Sequence, residues 1–217
     1  MKIFKTLNFN PTNINLYYEA FTHTSYSNEN PSFTSYERLE FLGDAILEFI
    51  ISDYLYKERH LTEGVMTKMR ANYVCEEALA TYAHDLKFEE DIKLGSGELE
   101  TGPNNTILAD VFEAFVAAMY LDIGFEKTQE MVLKIMLKYI TKGVDFLHDY
   151  KSELQELVQT VRKSVSYEII DESGPAHNKT FVCQVMVDNI VMGIGKGSSK
   201  KAAEQAAAKV ALEKQVK

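Results

Sequence analysis

The chain has 217 residues, enough for one large domain or two smaller ones, and its 46% hydrophobic and 25% charged residues match a protein with an ordinary buried core. No apolar run approaches the roughly 20 residues of a membrane span, and Met1 to Phe9 has two lysines but no continuous apolar stretch, so neither a membrane segment nor a secretory signal is expected. The net charge of −9 taken alone speaks against a nucleic-acid partner, but it is unevenly placed: residues 149–217 hold ten Lys or Arg against nine Asp or Glu, and the remainder hold 13 against 23.

In chain order, helices come first. Glu37 to Lys57 carries Leu39, Leu42, Ile46, Phe49 and Ile50 at helical spacing. Met66 to Asp85, Thr106 to Asp122 and Glu126 to Gly143 repeat the pattern, and the Gly-, Ser-, Pro- and Asn-rich stretch Lys93 to Asn105 reads as a loop. No strand pattern precedes about residue 165. The last third changes character. Lys151 to Val161 reads as a helix; Val165 to Asp171, Lys179 to Asp188 and Asn189 to Gly195 read as strands; Ser198 to Lys214 is an alanine-rich helix. The expected fold is an all-α N-terminal domain over 1–148 and a small α+β domain over 149–217 in the order α-β-β-β-α. Cys75 and Cys183 are single and far apart, fit neither a zinc site nor a disulfide framework, and point to a reducing cytoplasm.

The chemistry sits in two acidic helices. On the first, Glu37, Glu40, Asp44 and Glu48 fall within an arc of roughly 80°, with Leu42, Ile46 and Phe49 on the other side. On the second, Asp110 and Glu113 are three apart and share a face with Ala114 and Ala117, small enough to let another helix approach. Like charges at this spacing repel unless something compensates. Carboxylates on helix faces are most often simply solvated; here the strongly apolar surroundings of Thr106 to Asp122 imply burial, and a buried carboxylate needs a partner. Magnesium, with its preference for oxygen ligands, would compensate such a cluster, and a pair of ions held this way can stabilise both the attacking and the leaving oxygen at a phosphate.

Glu37-Arg38-Leu39-Glu40-Phe41-Leu42-Gly43-Asp44-Ala45 resembles the signature of the ribonuclease III family. Met66 to Ala71, Gly95-Ser96-Gly97-Glu98 and Ile107 to Ala114 resemble its later landmarks in the same order, and the likeness covers nearly the whole chain. It implies that residues 1–148 form a nuclease domain with Glu40, Asp44, Asp110 and Glu113 as metal ligands. Asp44 and Glu113 are then catalytic, Glu37 and Glu63 secondary acids near the cleavage site, and Mg2+ the cofactor, with Mn2+ able to substitute. It also implies a homodimer in which Phe41 inserts into the partner subunit. His23, in an early motif, reads as a packing or hydrogen-bonding residue. Tyr36 stands where the family usually has a small polar residue, and the loop Thr101 to Asn105 is shorter and less basic than in many members.

Residues 149–217 resemble a double-stranded RNA-binding domain. Asp149 to Glu156 looks like its first helix, Gly174-Pro175-Ala176-His177 its first β-turn, and Gly195 to Glu204 the entry to its second helix. Ser152, Gln155 and Gln159 lie one to two turns apart and can reach 2′-hydroxyls in the shallow minor groove, with Pro175 and His177 meeting a second groove. Lys196, Ser199, Lys200 and Lys201 gather at a helix N-terminus, where free N–H groups and mobile cations suit phosphate.

The reading is an endoribonuclease that hydrolyses both strands of double-stranded RNA. The resemblance implies 5′-phosphate and 3′-hydroxyl ends with 3′ overhangs and ribosomal and messenger RNA precursors as substrates; no membrane and no small-molecule cofactor are expected. Two alternatives stand beside it. A catalytically silent RNA-binding regulator is disfavoured by the complete carboxylate set, and a hydrolase of free nucleotides is disfavoured by the duplex-reading tail.

Overall fold

A computed structural model describes all residues except 8, 59, 175–178, 216 and 217. It divides into two compact units, Met1–Leu147 and His148–Lys217.

In the first unit three short helices, α1 (Ile3–Leu7), α2 (Ile14–Ala20) and α3 (Thr24–Glu29), precede α4 (Glu37–Glu58), α5 (Glu63–Tyr73) and α6 (Glu76–Asp85). A 3-10 turn (Phe88–Glu90) leads to α7 (Ser96–Leu99), α8 (Asn105–Ile123) and α9 (Phe125–Ile140). Helix α8 is the central rod, buried nearly all round, with Val111, Phe112, Ala114, Phe115, Val116, Ala117, Ala118 and Met119 fully shielded. Phe21, Phe88, Phe112 and Phe115 stack around it with ring centroids 4.8–6.0 Å apart. Caps set its ends. The Asn104 side chain accepts from Ile107 N at 2.9 Å, and Gly124, at φ +80°, turns the chain into α9. At the far end of α8, the Asp122 carboxylate accepts from Thr12 N, Asn13 N and the Tyr17 hydroxyl, fastening the segment that opens α2.

Three sequence expectations change here. Met66 to Asp85 is not one helix but two, α5 and α6, with a break at Val74 and Cys75. Cys75, extended at φ −74° and ψ 160°, makes the break and starts α6; just before it, the Asn72 amide donates to Val144 O at 2.8 Å and accepts from Phe146 N and Leu147 N, so the end of α5 holds the end of the unit. The presumed loop Lys93 to Asn105 contains α7, whose start is tied down by Glu29 accepting from Ser96 N and Oγ. On α4 the expected Leu39, Ile46 and Ile50 are buried and Leu42 packs against the core, joined by Leu47, Ile51 and Leu55, but Phe49 lies against Phe125 and stays 57% exposed.

The second unit runs α10 (Tyr150–Thr160), β1 (Val165–Ser173), β2 (Thr180–Val187), β3 (Ile190–Gly197) and α11 (Lys200–Gln215). The strands form an antiparallel sheet in the order β1-β2-β3. Leu154 and Val158 from α10, Cys183, Val185 and Val187 from β2, and Ala203, Ala207, Ala208 and Ala211 from α11 form its core. Helix α11 lies directly on β3. A Cβ at Gly193, Gly195 or Gly197 would fall 2.2–2.5 Å from the backbone of α11, so the alternating glycines and the alanine repeat are the two halves of one close contact. Among the described residues no helix is long and apolar enough to cross a membrane.

Candidate active site

Gly43 decides where the acidic helices meet. A Cβ there would lie 1.9 Å from the backbone oxygen of Glu113, so α4 and α8 touch backbone to backbone at this point. A mid-helix glycine costs about 1 kcal/mol against alanine; here it removes the one side chain that would hold the helices apart. Glu40 and Asp44, one turn apart on α4, are brought against Asp110 and Glu113, one turn apart on α8.

Helix α8 is so buried that its acids are half-buried too, while Asp44 stays exposed. Burial pushes the Glu113 carboxyl up to about 8, and the charges of Asp44, Glu40 and Asp110 push the same way. Glu40 is raised by burial, then by Asp110, Glu37 and Asp44. Asp110 is raised by burial and Glu76, against the opposing pull of the Tyr36 hydroxyl and His23. Glu113 feels Asp44, Glu40 and Asp110, and Glu40 feels Asp110 and Asp44, so the four lie within one electrostatic cluster. Such a cluster is costly unless it shares protons or meets a cation.

Among the described residues no three His, Cys, Asp or Glu side chains converge tightly enough to ligate one ion as they stand. The donor chemistry still fits a hard divalent cation: several carboxylate oxygens on two rigid helices, part-buried and short of positive charge.

Tyr36 and His23 stand behind this cluster. Tyr36 is 3% exposed and its hydroxyl donates to Asp110 Oδ2 at 3.1 Å. Burial, and then the Asp110 charge, holds that hydroxyl well above the usual phenol range, so it stays a donor. The Tyr36 side chain is therefore turned into the site. His23 caps α3, its Nδ1 accepting from Ser25 N at 3.2 Å, with its ring 5.7 Å from that of Tyr36. The periodicity of the sequence carries no signal for the Tyr36 contact, which spans 74 residues; Gly43 was legible as a glycine inside a strong helix.

Glu37 is exposed at the edge of the cluster and accepts from Ser35 Oγ at 3.1 Å. Glu63 stands apart from it. It opens α5, accepts from Thr67 Oγ1, and lines a cavity of about 380 Å³ between α4 and α5 with Ser52, Asp53 and Arg70. Phe41 is 83% exposed, on α4 but off the core face.

In the second unit, Asp149 caps α10 by accepting from Ser152 N and from Ser152 Oγ at 2.6 Å, and also from Gln205 Nε2 on α11. The Ser152 hydrogen is thus committed, leaving its oxygen as an acceptor. Gln155 and Gln159 follow on the same exposed face. Lys151 pairs with Glu204 at 2.6 Å, joining the start of α10 to the first turns of α11. There Lys196, Lys200 and Lys201 are exposed, and the Lys201 charge helps hold Asp149 below the usual carboxylate range, after its hydrogen bonds to Ser152 and Gln205. Ser199 accepts from Ala202 N at 3.1 Å as the α11 cap. Pro175 and His177 lie outside the described residues.

A helical body with an acid cluster at a helix crossing, joined to an α-β-β-β-α unit with lysines at a helix entry, defines a two-part class of nucleic-acid hydrolase. Residues 13–140 match the ribonuclease-III-like family and residues 150–215 the double-stranded RNA binding motif. The chain is 46% identical to Ribonuclease 3 of Onion yellows phytoplasma (strain OY-M), covering 99% of this chain and 91% of that protein. It is 47% identical to Ribonuclease 3 of Oceanobacillus iheyensis, over 90% of this chain and 89% of that one. Among solved structures, the nuclease domain of ribonuclease III from Campylobacter jejuni matches with a TM-score of 0.59 at 32% identity, covering 63% of this chain and 95% of that one. The chain belongs to the ribonuclease III family of double-strand-specific endoribonucleases, which are metal-dependent nucleases.

Proposed function

We propose that this protein cuts both strands of double-stranded RNA by metal-assisted phosphodiester hydrolysis, leaving 5′-phosphate and 3′-hydroxyl ends with 3′ overhangs. Residues 1–148 would do the cutting and 149–217 would hold the duplex. The observation that carries the reading is Glu113, pushed up to about 8 by burial among Asp44, Glu40 and Asp110 where Gly43 lets two helices touch. Glu40, Asp44, Asp110 and Glu113 would hold Mg2+, or Mn2+ in its place, with Asp44 and Glu113 as the catalytic pair, Glu37 in a supporting role at the edge of the cluster, and Glu63, which stands apart from it within this chain, as a secondary acid facing the bound duplex. The metal supplies charge stabilisation at the phosphate and an activated water. The chain's own task is to hold these carboxylates in place and to seat the duplex through Ser152, Gln155, Gln159, Lys196, Ser199, Lys200 and Lys201, together with Pro175 and His177.

One cluster per chain suits one strand at a time, and a two-fold dimer matches the local symmetry of a duplex. The Campylobacter jejuni structure concerns a region involved in dimer formation of its nuclease domain. In this chain the exposed Phe41 is the proposed anchor into a second copy. Precursors of ribosomal and messenger RNA, in the cytoplasm, are the proposed substrates; both cysteines are free thiols, as a reducing compartment requires.

The test is a gel of long double-stranded RNA incubated with and without Mg2+. Cutting should need the metal, and Glu113→Gln should abolish it while RNA binding persists. Normal cutting by that variant would overturn the ligand assignment, and binding without cutting by the wild type would establish a silent regulator instead. A purified mixed dimer, one chain wild type and one Glu113→Gln, should nick one strand only; double cleavage without subunit exchange would sink the dimer argument.

A further inference from the structure

Tyr36 is the residue immediately before α4, and its backbone is fixed from both sides. Its N–H donates to Thr22 O at 3.0 Å, and its carbonyl accepts from Leu39 N at 2.8 Å and Glu40 N at 2.9 Å. It therefore starts the helix that carries Glu37, Glu40 and Asp44. Its ring is buried against the His23 imidazole, at an interplanar angle of 49°. Its hydroxyl reaches across to the other acidic helix and donates to Asp110 Oδ2. One rigid side chain thus opens the first acid-bearing helix and grips an acid on the second.

A phenol hydroxyl has one hydrogen to give, whereas an ionised carboxylate offers about four lone-pair positions on two oxygens. The bond to Oδ2 occupies one of them and leaves Oδ1 open. It also fixes a torsion that is broad for aspartate when nothing holds it. We propose that Tyr36 is a positioning residue for the metal centre, acting through Asp110: its hydroxyl locks the Asp110 carboxylate so that the remaining oxygen is presented to a divalent cation. The proposal rests on Asp110 being a metal ligand. Outer partners of this kind change metal affinity by about 10–100-fold when removed.

Tyr36→Phe deletes the hydroxyl and keeps the ring that fills the core. The experiment is calorimetric titration of the RNA-free full chain with Mn2+, comparing wild type, Tyr36→Phe, Asp110→Asn and the double variant, each first shown by circular dichroism to melt as a folded protein. Tyr36→Phe should bind Mn2+ about 10–100-fold more weakly. In the Asp110→Asn background, removing the hydroxyl should cause little further loss, because its effect passes through that carboxylate. Wild-type affinity in Tyr36→Phe, tighter binding, or losses that add in full in the double variant would each overturn the proposal while leaving Asp110 as a ligand. Unchanged affinity in Asp110→Asn would instead remove the ligand reading on which it rests, and the proposal with it.

Discussion

The two units solve one packing problem in opposite electrostatic settings. In the first, Gly43 brings α4 against α8, and the backbones touch in the midst of four carboxylates. In the second, Gly193, Gly195 and Gly197 bring β3 against α11, and the backbones touch in the midst of alanines, while the lysines stay outside in water. Glycine supplies close approach in both. The difference is where the charge goes. The first unit crowds acids into a half-buried crossing, where ionising them all carries a cost that a cation would relieve. The second buries nothing polar at its contact and offers exposed cations to a partner that brings its own negative charge. Charge burial therefore marks the proposed site of chemistry, and charge exposure the proposed site of holding.

The largest effects should come from the glycines themselves. Gly43→Ala would place a methyl group 1.9 Å from the Glu113 carbonyl oxygen, and Gly195→Ala one 2.2 Å from Ala207 N, both on backbone that cannot swing aside. Each should cost about 3 kcal/mol. The comparison separates them by readout. Gly43→Ala should lose cutting and keep RNA binding in a gel-shift assay, whereas Gly195→Ala should lose binding first. If both variants lost the same property, the division of labour between the units would be wrong.

A smaller effect tests the second unit's surface. Lys200→Ala with Lys201→Ala should weaken binding to all duplexes alike and flatten its salt dependence by up to about two phosphate contacts. Filter binding over a range of salt concentrations reads both quantities. Loss for some sequences only, or an unchanged salt slope, would count against these lysines as phosphate contacts.

Long elements were legible because periodicity and caps act locally: α4, α8, α9 and all five elements of the second unit lie within a few residues of where the pattern puts them. The short helices α1 to α3 carry too few turns to show a period. The α5–α6 break falls at an extended Cys75 within a continuous apolar pattern, and the Asn72 bonds beside it reach residues more than 70 positions away, which no local pattern encodes. At the site, the acids were legible from spacing and from the family signature, and Phe41 was legible as lying off the core face. The only local sign of the role of Gly43 in joining the acids is a glycine in the middle of a strong helix; its contact with Glu113 lies 70 residues away. Phe49 misled because apolar spacing alone does not say where the core face ends: Leu39, Ile46 and Ile50 are buried, while Phe49 sits at its edge.

The central claim is that the charge buried at the α4–α8 crossing is there for a cation. Without metal, Glu113 holds its proton to about pH 8 in the folded chain and releases it near 4.5 when unfolded, so its contribution to stability is present below about pH 4.5 and lost as the pH rises to 8. Burial raises Glu40 and Asp110 in the same direction. The decisive measurement is the melting temperature of the full chain at pH 5.5 and pH 8, in chelator and then in excess Mg2+, for wild type and Glu113→Gln. The wild type should melt lower at pH 8 than at pH 5.5 in chelator, and Mg2+ should raise it most at pH 8. Glu113→Gln should show a smaller fall with pH and a smaller response to Mg2+. Equal pH dependence and equal Mg2+ response in the two proteins would contradict the account.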